Sequence, residues 1–353
     1  MRDISQVGVV GASGVGPALA QACLQAGLAV VLVDDTEEIL SAAEDAVLRG
    51  LQRAEQPGVF SLMRKATRLE RLEGCDLVVE CGSETPQAKQ DLLRRIDART
   101  DRSCVIAVET DALPVSFTAR YVENPDRVVG VHVPPPATIG RLVEVVRYEH
   151  AAPQSVERTL AWVERLGRRA VCAADKAGFV VNRLQRAWMA AAFRLLEAGR
   201  GTPASIDAAV RSAGGFPAGP FETIDARGLE ADFHIGETIY ELLGRPERLR
   251  PSAAHEKLLA RGCRGRRNSR GFFVYGENPP GTVNPLLEEL VPGLGARPAP
   301  APEVVAAAAD AAVAEARAIV DDGVAGPEDV ETAAKLGLFW TKGPAKWAEE
   351  RGR

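Results

Sequence analysis

The run Val7-Gly8-Val9-Val10-Gly11-Ala12-Ser13-Gly14-Val15-Gly16 constrains the fold of this chain more than any other. Its aliphatic start reads as a buried strand. Its three later glycines permit a turn too tight for side chains, directly before a helix over 17–26. A second apolar strand follows over 28–33, then a helix of alternating charge and apolar spacing over 36–53. Further strands over 76–80, 105–108, 128–133, 142–146 and 170–173 are interleaved with helices over 86–96 and 153–166. Strands alternating with helices predict an α/β fold with a doubly wound, mostly parallel sheet.

After Gly178 the pattern changes to helices over 179–198, 205–213 and 231–243 with turn signals between them. Residues 1–177 and 178–292 are therefore read as a doubly wound domain and an all-helical domain. The Pro, Gly and Ala-rich stretch 293–302 reads as a linker. The tail, 300–353, repeats part of the helical domain in a shorter form. Glu197-Ala198-Gly199-Arg200-Gly201-Thr202-Pro203 aligns with Asp321-Asp322-Gly323-Val324-Ala325-Gly326-Pro327. The same offset carries Gly219-Pro220 onto Gly343-Pro344, and Gly228 onto Gly352.

A net charge of −5 over 353 residues gives no support for nucleic-acid binding, and the basic run 261–270 reads as a solvated loop. The six cysteines form no CxxC pair and no metal spacing, so buried thiols in a reducing compartment are expected, and no metal. No apolar run approaches the ~20 residues of a membrane span and no signal peptide precedes the first strand, so a cytoplasmic protein is expected.

The glycine turn has a chemical meaning in this context. Gly11, Ser13, Gly14, Val15 and Gly16 sit where backbone and a helix N-terminus can meet a pyrophosphate. Asp34 ends the second strand, where a carboxylate accepts hydrogen bonds from ribose hydroxyls and repels a 2′-phosphate. That favours NAD over NADP and makes the first domain Rossmann-type. The alternatives are a turn acid at Asp34 and a fold that has lost its cofactor. A second pattern lies in Gly130-Val131-His132-Val133-Pro134-Pro135-Pro136 and Leu142-Val143-Glu144-Val145-Val146. If these strands pair antiparallel, Glu144 reaches His132, orients its ring and favours its protonated form, as in a general acid/base.

Several blocks together resemble the 3-hydroxyacyl-CoA dehydrogenase family. They are the glycine turn, Asp76-Leu77-Val78-Val79-Glu80, the strand bearing Glu144, Gly178-Phe179-Val180-Val181-Asn182-Arg183-Leu184, Gly219-Pro220-Phe221-Glu222 and Gly271-Phe272-Phe273-Val274-Tyr275-Gly276. The resemblance runs from residue 4 to about 276. It implies proton transfer by His132 as hydride passes between C3 of an acyl thioester and the nicotinamide, with Glu144 orienting the imidazole. It also implies Asn182 beside the reacting centre, Glu84 and Lys89 at the nicotinamide end, and helical domains that pair between subunits. The partner is then an acyl thioester on CoA or a carrier protein, and the assembly a homodimer or an internal pseudo-dimer.

Two departures bear on the substrate. In Val108-Glu109-Thr110-Asp111-Ala112-Leu113, Glu109 and Asp111 stand where the family has Asn and Ser. Pro135 replaces an asparagine after His132 and has no N–H to donate. Asp111 is either a carboxylate that binds a substrate hydroxyl or amine, an acid kept protonated by Glu109, or an outward cap of the turn before Pro114. Dehydrogenation of a free polar hydroxy acid, and binding of NAD or acyl groups without turnover, remain the other readings.

Overall fold

The structure is a computed structural model that describes residues 3–276 and 281–352. Two compact units divide the chain, Met1–Phe179 and Val180–Arg353.

The first unit is an eight-stranded sheet in the order β3-β2-β1-β4-β5-β6-β7-β8. Its strands are β1 (Gln6–Val10), β2 (Ala29–Val33), β3 (Met63–Ala66), β4 (Leu77–Glu80), β5 (Val105–Glu109), β6 (Val128–His132), β7 (Leu142–Arg147) and β8 (Arg169–Ala174). Pairing is parallel from β3 to β6 and antiparallel between β6 and β7, and β7 and β8 run parallel to each other. The connecting helices are α1 (Gly16–Gln25), α2 (Glu37–Arg53), α3 (Pro86–Asp97), the short α4 (Ser116–Ala119) and α5 (Pro153–Arg165). The central strands are aliphatic and buried, as strands covered on both faces must be; Val7, Val9, Leu32, Val79, Ala107 and Val131 share one core.

The doubly wound sheet and its helices match the sequence reading. That reading missed β3. Only Met63 of this strand is buried, and Arg64 and Lys65 are exposed, because an edge strand needs charge more than apolar alternation. Cys172 also departs from expectation, since it is exposed on β8.

The second unit contains α6 (Val181–Glu197), α7 (Pro203–Ala213), α8 (Pro220–Arg227), α9 (Leu229–Leu242), α10 (Ala253–Ala260), α11 (Leu286–Leu290), α12 (Ala301–Asp321), α13 (Pro327–Thr332) and α14 (Pro344–Glu350). Among its described residues it is helical apart from isolated bridges pairing Gly265 with Arg270, Arg270 with Val274 and Phe273 with Val283, which the all-helical expectation did not contain. Four of these helices open on proline, whose fixed φ and missing N–H suit the first turn. Helix α6 starts two residues later than its apolar pattern suggests, because Gly178 and Phe179 both take positive φ, 73° and 48°. The expected linker ends early, at the start of α12.

Helices α12–α14 follow α6–α8 in the same order. The repeat extends to conformation and bonding. Gly199 and Gly323 share a φ of 67°. The Asp207 carboxylate accepts the Phe221 and Glu222 N–H groups, while at the same offset the Glu331 carboxylate accepts the Ala345 N–H. A Cβ at Gly219 would strike Asp207, and one at Gly343 would strike Glu331. Phe216 and Trp340, again at matching positions, meet edge to face at 5.1 Å. Among the described residues no helix is long and apolar enough to cross a membrane.

Candidate active site

The neighbours of β1 are β2 on one side and β4 on the other, so chain order reverses there and the strands' carboxyl ends open a crevice. The glycine turn lies at that crevice. Gly11 has φ 108°, and a Cβ on it would stand 2.5 Å from the Cys81 carbonyl oxygen. A Cβ on Gly16 would stand 1.9 Å from the Gly11 carbonyl oxygen. Both positions therefore require glycine so that α1 can start hard against the sheet. Ser13 and Gly14 are exposed on the turn and Val15 is half-buried. The first turn of α1 has no side-chain cap and no acidic residue, which leaves its N–H groups and positive dipole end to an anion. The Asp34 carboxylate accepts the Ala12 N–H at 2.8 Å, which fixes it beside the turn at the end of β2. This donor set and carboxylate fit a dinucleotide.

A second group of residues gathers where three neighbouring parallel strands end. β4 ends in Glu80, β5 in Glu109 and β6 in His132. His132 sits directly opposite Glu144 in the antiparallel β6–β7 register. Its Nδ1 is 2.5 Å from Glu144 Oε2, and both side chains are fully buried. The Nε2 atom lies 3.3 Å from Asp111 Oδ1. Burial disfavours the imidazolium, but hydrogen bonds and charge from Asp111 and Glu144 outweigh it and push His132 up to about 10. The Phe179 ring is 6.2 Å from the imidazole, and its positive φ is an uncommon conformation for a bulky residue.

Glu84 and Lys89 join this cluster, together with residues that sequence reasoning missed. Lys89 is buried; its Nζ is 2.9 Å from Glu80 Oε2 and 3.7 Å from Glu84 Oε2, and donates to the Glu109 carbonyl. Glu84 Oε1 accepts the Thr110 hydroxyl and the N–H groups of Asp111 and Ala112, at 3.0 and 3.1 Å. These bonds fix the loop that carries Asp111. Burial raises the Glu109 carboxyl to about 8, with help from the Asp111 charge. The turn before Pro114 is held by other side chains as well. Thr110 Oγ1 accepts the Leu113 N–H, and the Asp175 carboxylate takes those of Val115 and Ser116. The missed signal was a carboxylate closing an aliphatic strand, as Glu80 does. Asn182 lies in the first turn of α6, in the second unit, and is buried.

Known proteins place the chain in a family. Residues 6–176 match the 3-hydroxyacyl-CoA dehydrogenase NAD binding domain, and residues 178–275 match the C-terminal domain of the same family. The mitochondrial hydroxyacyl-coenzyme A dehydrogenase of Sus scrofa is 30% identical over 77% of this chain and 91% of its own length. The solved 3-hydroxybutyryl-CoA dehydrogenase of Escherichia coli shares the fold with a TM-score of 0.86 over 99% of this chain and 92% of that one, at 22% identity. The (S)-3-hydroxybutyryl-CoA dehydrogenase of Ralstonia eutropha superposes with a TM-score of 0.74 at 27% identity, over 78% of this chain and all (100%) of that one. With both family domains present in order and the glycine turn and Asp34 in place, this chain belongs to the 3-hydroxyacyl-CoA dehydrogenase family and carries its NAD-binding domain.

Proposed function

We propose that this protein interconverts 3-hydroxyacyl and 3-oxoacyl thioesters, moving hydride between C3 and NAD, with His132 as general acid/base and Glu144 as its positioning partner. The buried His132–Glu144 pair at the end of β6 carries this reading. In the oxidising direction Nε2 accepts the C3 hydroxyl proton, and in the reducing direction it returns that proton to the carbonyl oxygen. Glu144 holds Nδ1 protonated, fixes the ring and stabilises the imidazolium. NAD, when bound, supplies the hydride acceptor, or as NADH the donor. Gly11, Ser13, Gly14, Val15 and Gly16 would hold its pyrophosphate and Asp34 its ribose, with Glu84 and Lys89 toward the nicotinamide. For Asn182 the support is its family position alone. CoA is the carrier in the names of the relatives, and we carry it over on that basis.

The test follows NADH oxidation with 3-oxobutanoyl-CoA, the same acyl group on a carrier protein, and a panel of free oxo acids. Turnover is expected on a thioester. Turnover on free acids alone would replace this reading with that of a polar hydroxy-acid dehydrogenase. Silence throughout, with NADH still bound, would favour a binder without turnover.

We also infer that α12–α14 serve α6–α8 as an internal partner. Support comes from the shared offset, the Phe216–Trp340 contact and the buried Arg183–Glu315 ion pair of 2.6 Å between α6 and α12. The expected native mass in solution is that of one 37.6 kDa chain. A mass of twice that across the working concentration range would favour a homodimer instead.

A further inference from the structure

The catalytic imidazole has a carboxylate on each nitrogen, Glu144 at Nδ1 and Asp111 at Nε2. The first is buried and belongs to the acid/base pair. The second is about a third exposed (37%) and stands at the nitrogen that must face the reacting oxygen. Its position is built rather than incidental. Glu84 holds the Asp111 and Ala112 N–H groups, and the Gly178 N–H holds the Ala112 carbonyl at 3.0 Å. Thr110 Oγ1 and the Asp175 carboxylate accept N–H groups of the turn that follows, which fixes the loop from its other side. An ionised carboxylate donates no hydrogen bond and repels negative charge developing on a neighbouring oxygen. A plain acyl chain brings only C–H groups beside C3. Such a chain leaves this acceptor desolvated and facing the reacting oxygen.

We propose that Asp111 is a specificity-determining residue whose carboxylate takes a hydroxyl or ammonium hydrogen on a substrate carbon adjacent to the one that reacts at His132. The proposal rests on the thioester dehydrogenase reading and narrows its substrate class. A donor on that carbon satisfies Asp111 and withdraws its charge from Nε2, leaving the imidazole to the C3 oxygen. A site that expects a donor rejects the analogue lacking it much more strongly than an apolar pocket rejects a missing methylene.

The experiment compares kcat/KM, with NADH, for the CoA thioesters of 3-oxobutanoate, 4-hydroxy-3-oxobutanoate and 4-amino-3-oxobutanoate. The proteins are the full chain, Asp111→Ser and Asp111→Asn, each first checked for NADH affinity by fluorescence titration. The unmodified chain is expected to prefer a donor-bearing thioester by at least about tenfold. The two donor-bearing arms tell hydroxyl from ammonium. Asp111→Ser should bring that ratio close to one, with a gain on 3-oxobutanoyl-CoA. Asp111→Asn, which keeps the size and loses the charge, should abolish any preference for the ammonium. Equal rates on all three thioesters, or a preference unchanged in both variants, would overturn this inference and leave the dehydrogenase reading standing. No turnover on any of them, with NADH bound, would overturn both.

Discussion

Substituting His132 by Gln is expected to lower kcat by about 10²–10⁴-fold, the usual contribution of a positioned general acid/base, while NADH affinity stays unchanged. Gln is the informative replacement because its amide still donates to the buried Glu144 carboxylate. His132→Ala should abolish turnover as well, but it also leaves Glu144 facing a void. Single-turnover rates with NADH and fluorescence titration of NADH separate chemistry from cofactor binding. Wild-type rates in His132→Gln would remove His132 from the mechanism. The pH profile gives a second view of the same group. Its raised value, about 10, keeps the imidazole protonated at neutral pH, so it is poised to give a proton in the reducing direction. The kcat/KM for oxidation should therefore climb as pH rises toward 10, and that for reduction should fall above it. The groups that set this midpoint are Asp111 after β5 and Glu144 on β7, working against burial. Glu144→Gln removes the buried carboxylate and should move the midpoint down toward the ordinary histidine value near 6.5.

The parts of this site that were legible in the sequence obey local rules. A glycine turn after a buried strand, an acid ending the next strand and a proline opening a helix are each dictated within a few residues. The His132–Glu144 pair was legible because two apolar strands joined by a short turn have few registers, and one of them sets the two residues opposite each other. The Glu80–Lys89–Glu84 cluster was not legible in that way. Its members meet only because β4 and β5 lie side by side and α3 returns over them, which is a tertiary fact. Glu109 and Asp111 were visible as departures from the family pattern, but their roles depend on burial. Glu109 is enclosed and raised, whereas Asp111 keeps contact with solvent. β3 escaped for the opposite reason, since its chemistry is that of an edge and its pairing comes from β2. Phe179 carries no sequence signal for its positive φ.

The largest expected stability effect lies in the second unit, at the pair between α6 and α9. Arg186 grips Asp232 with two hydrogen bonds of 2.6 Å, and Asp232 is fully buried. Burial alone would raise the Asp232 carboxyl, but the Arg186 guanidinium outweighs it and holds the carboxyl below the ordinary value of 3.8. The stabilisation is therefore present above that value and is lost as pH falls through the lowered one. Asp232→Ala removes one partner and leaves a guanidinium in the interior, a change that costs about 3–5 kcal/mol. For a folding unit of this size, each kcal/mol moves the thermal midpoint by roughly 2–4 °C, so a fall of roughly 6–20 °C is expected by calorimetry. The exposed pair Arg200–Glu303, with side chains 37% and 49% accessible, is the control. Glu303→Ala should cost no more than about 1 kcal/mol, because solvent screens the charges and the freed arginine is rehydrated. Equal shifts in the two variants would mean that α9 is held by Leu229, Ile235 and Ile239 rather than by its ion pair. A large shift in Asp232→Ala alone would mean that α6, the helix that carries Asn182 in its first turn, takes its seating from Arg186.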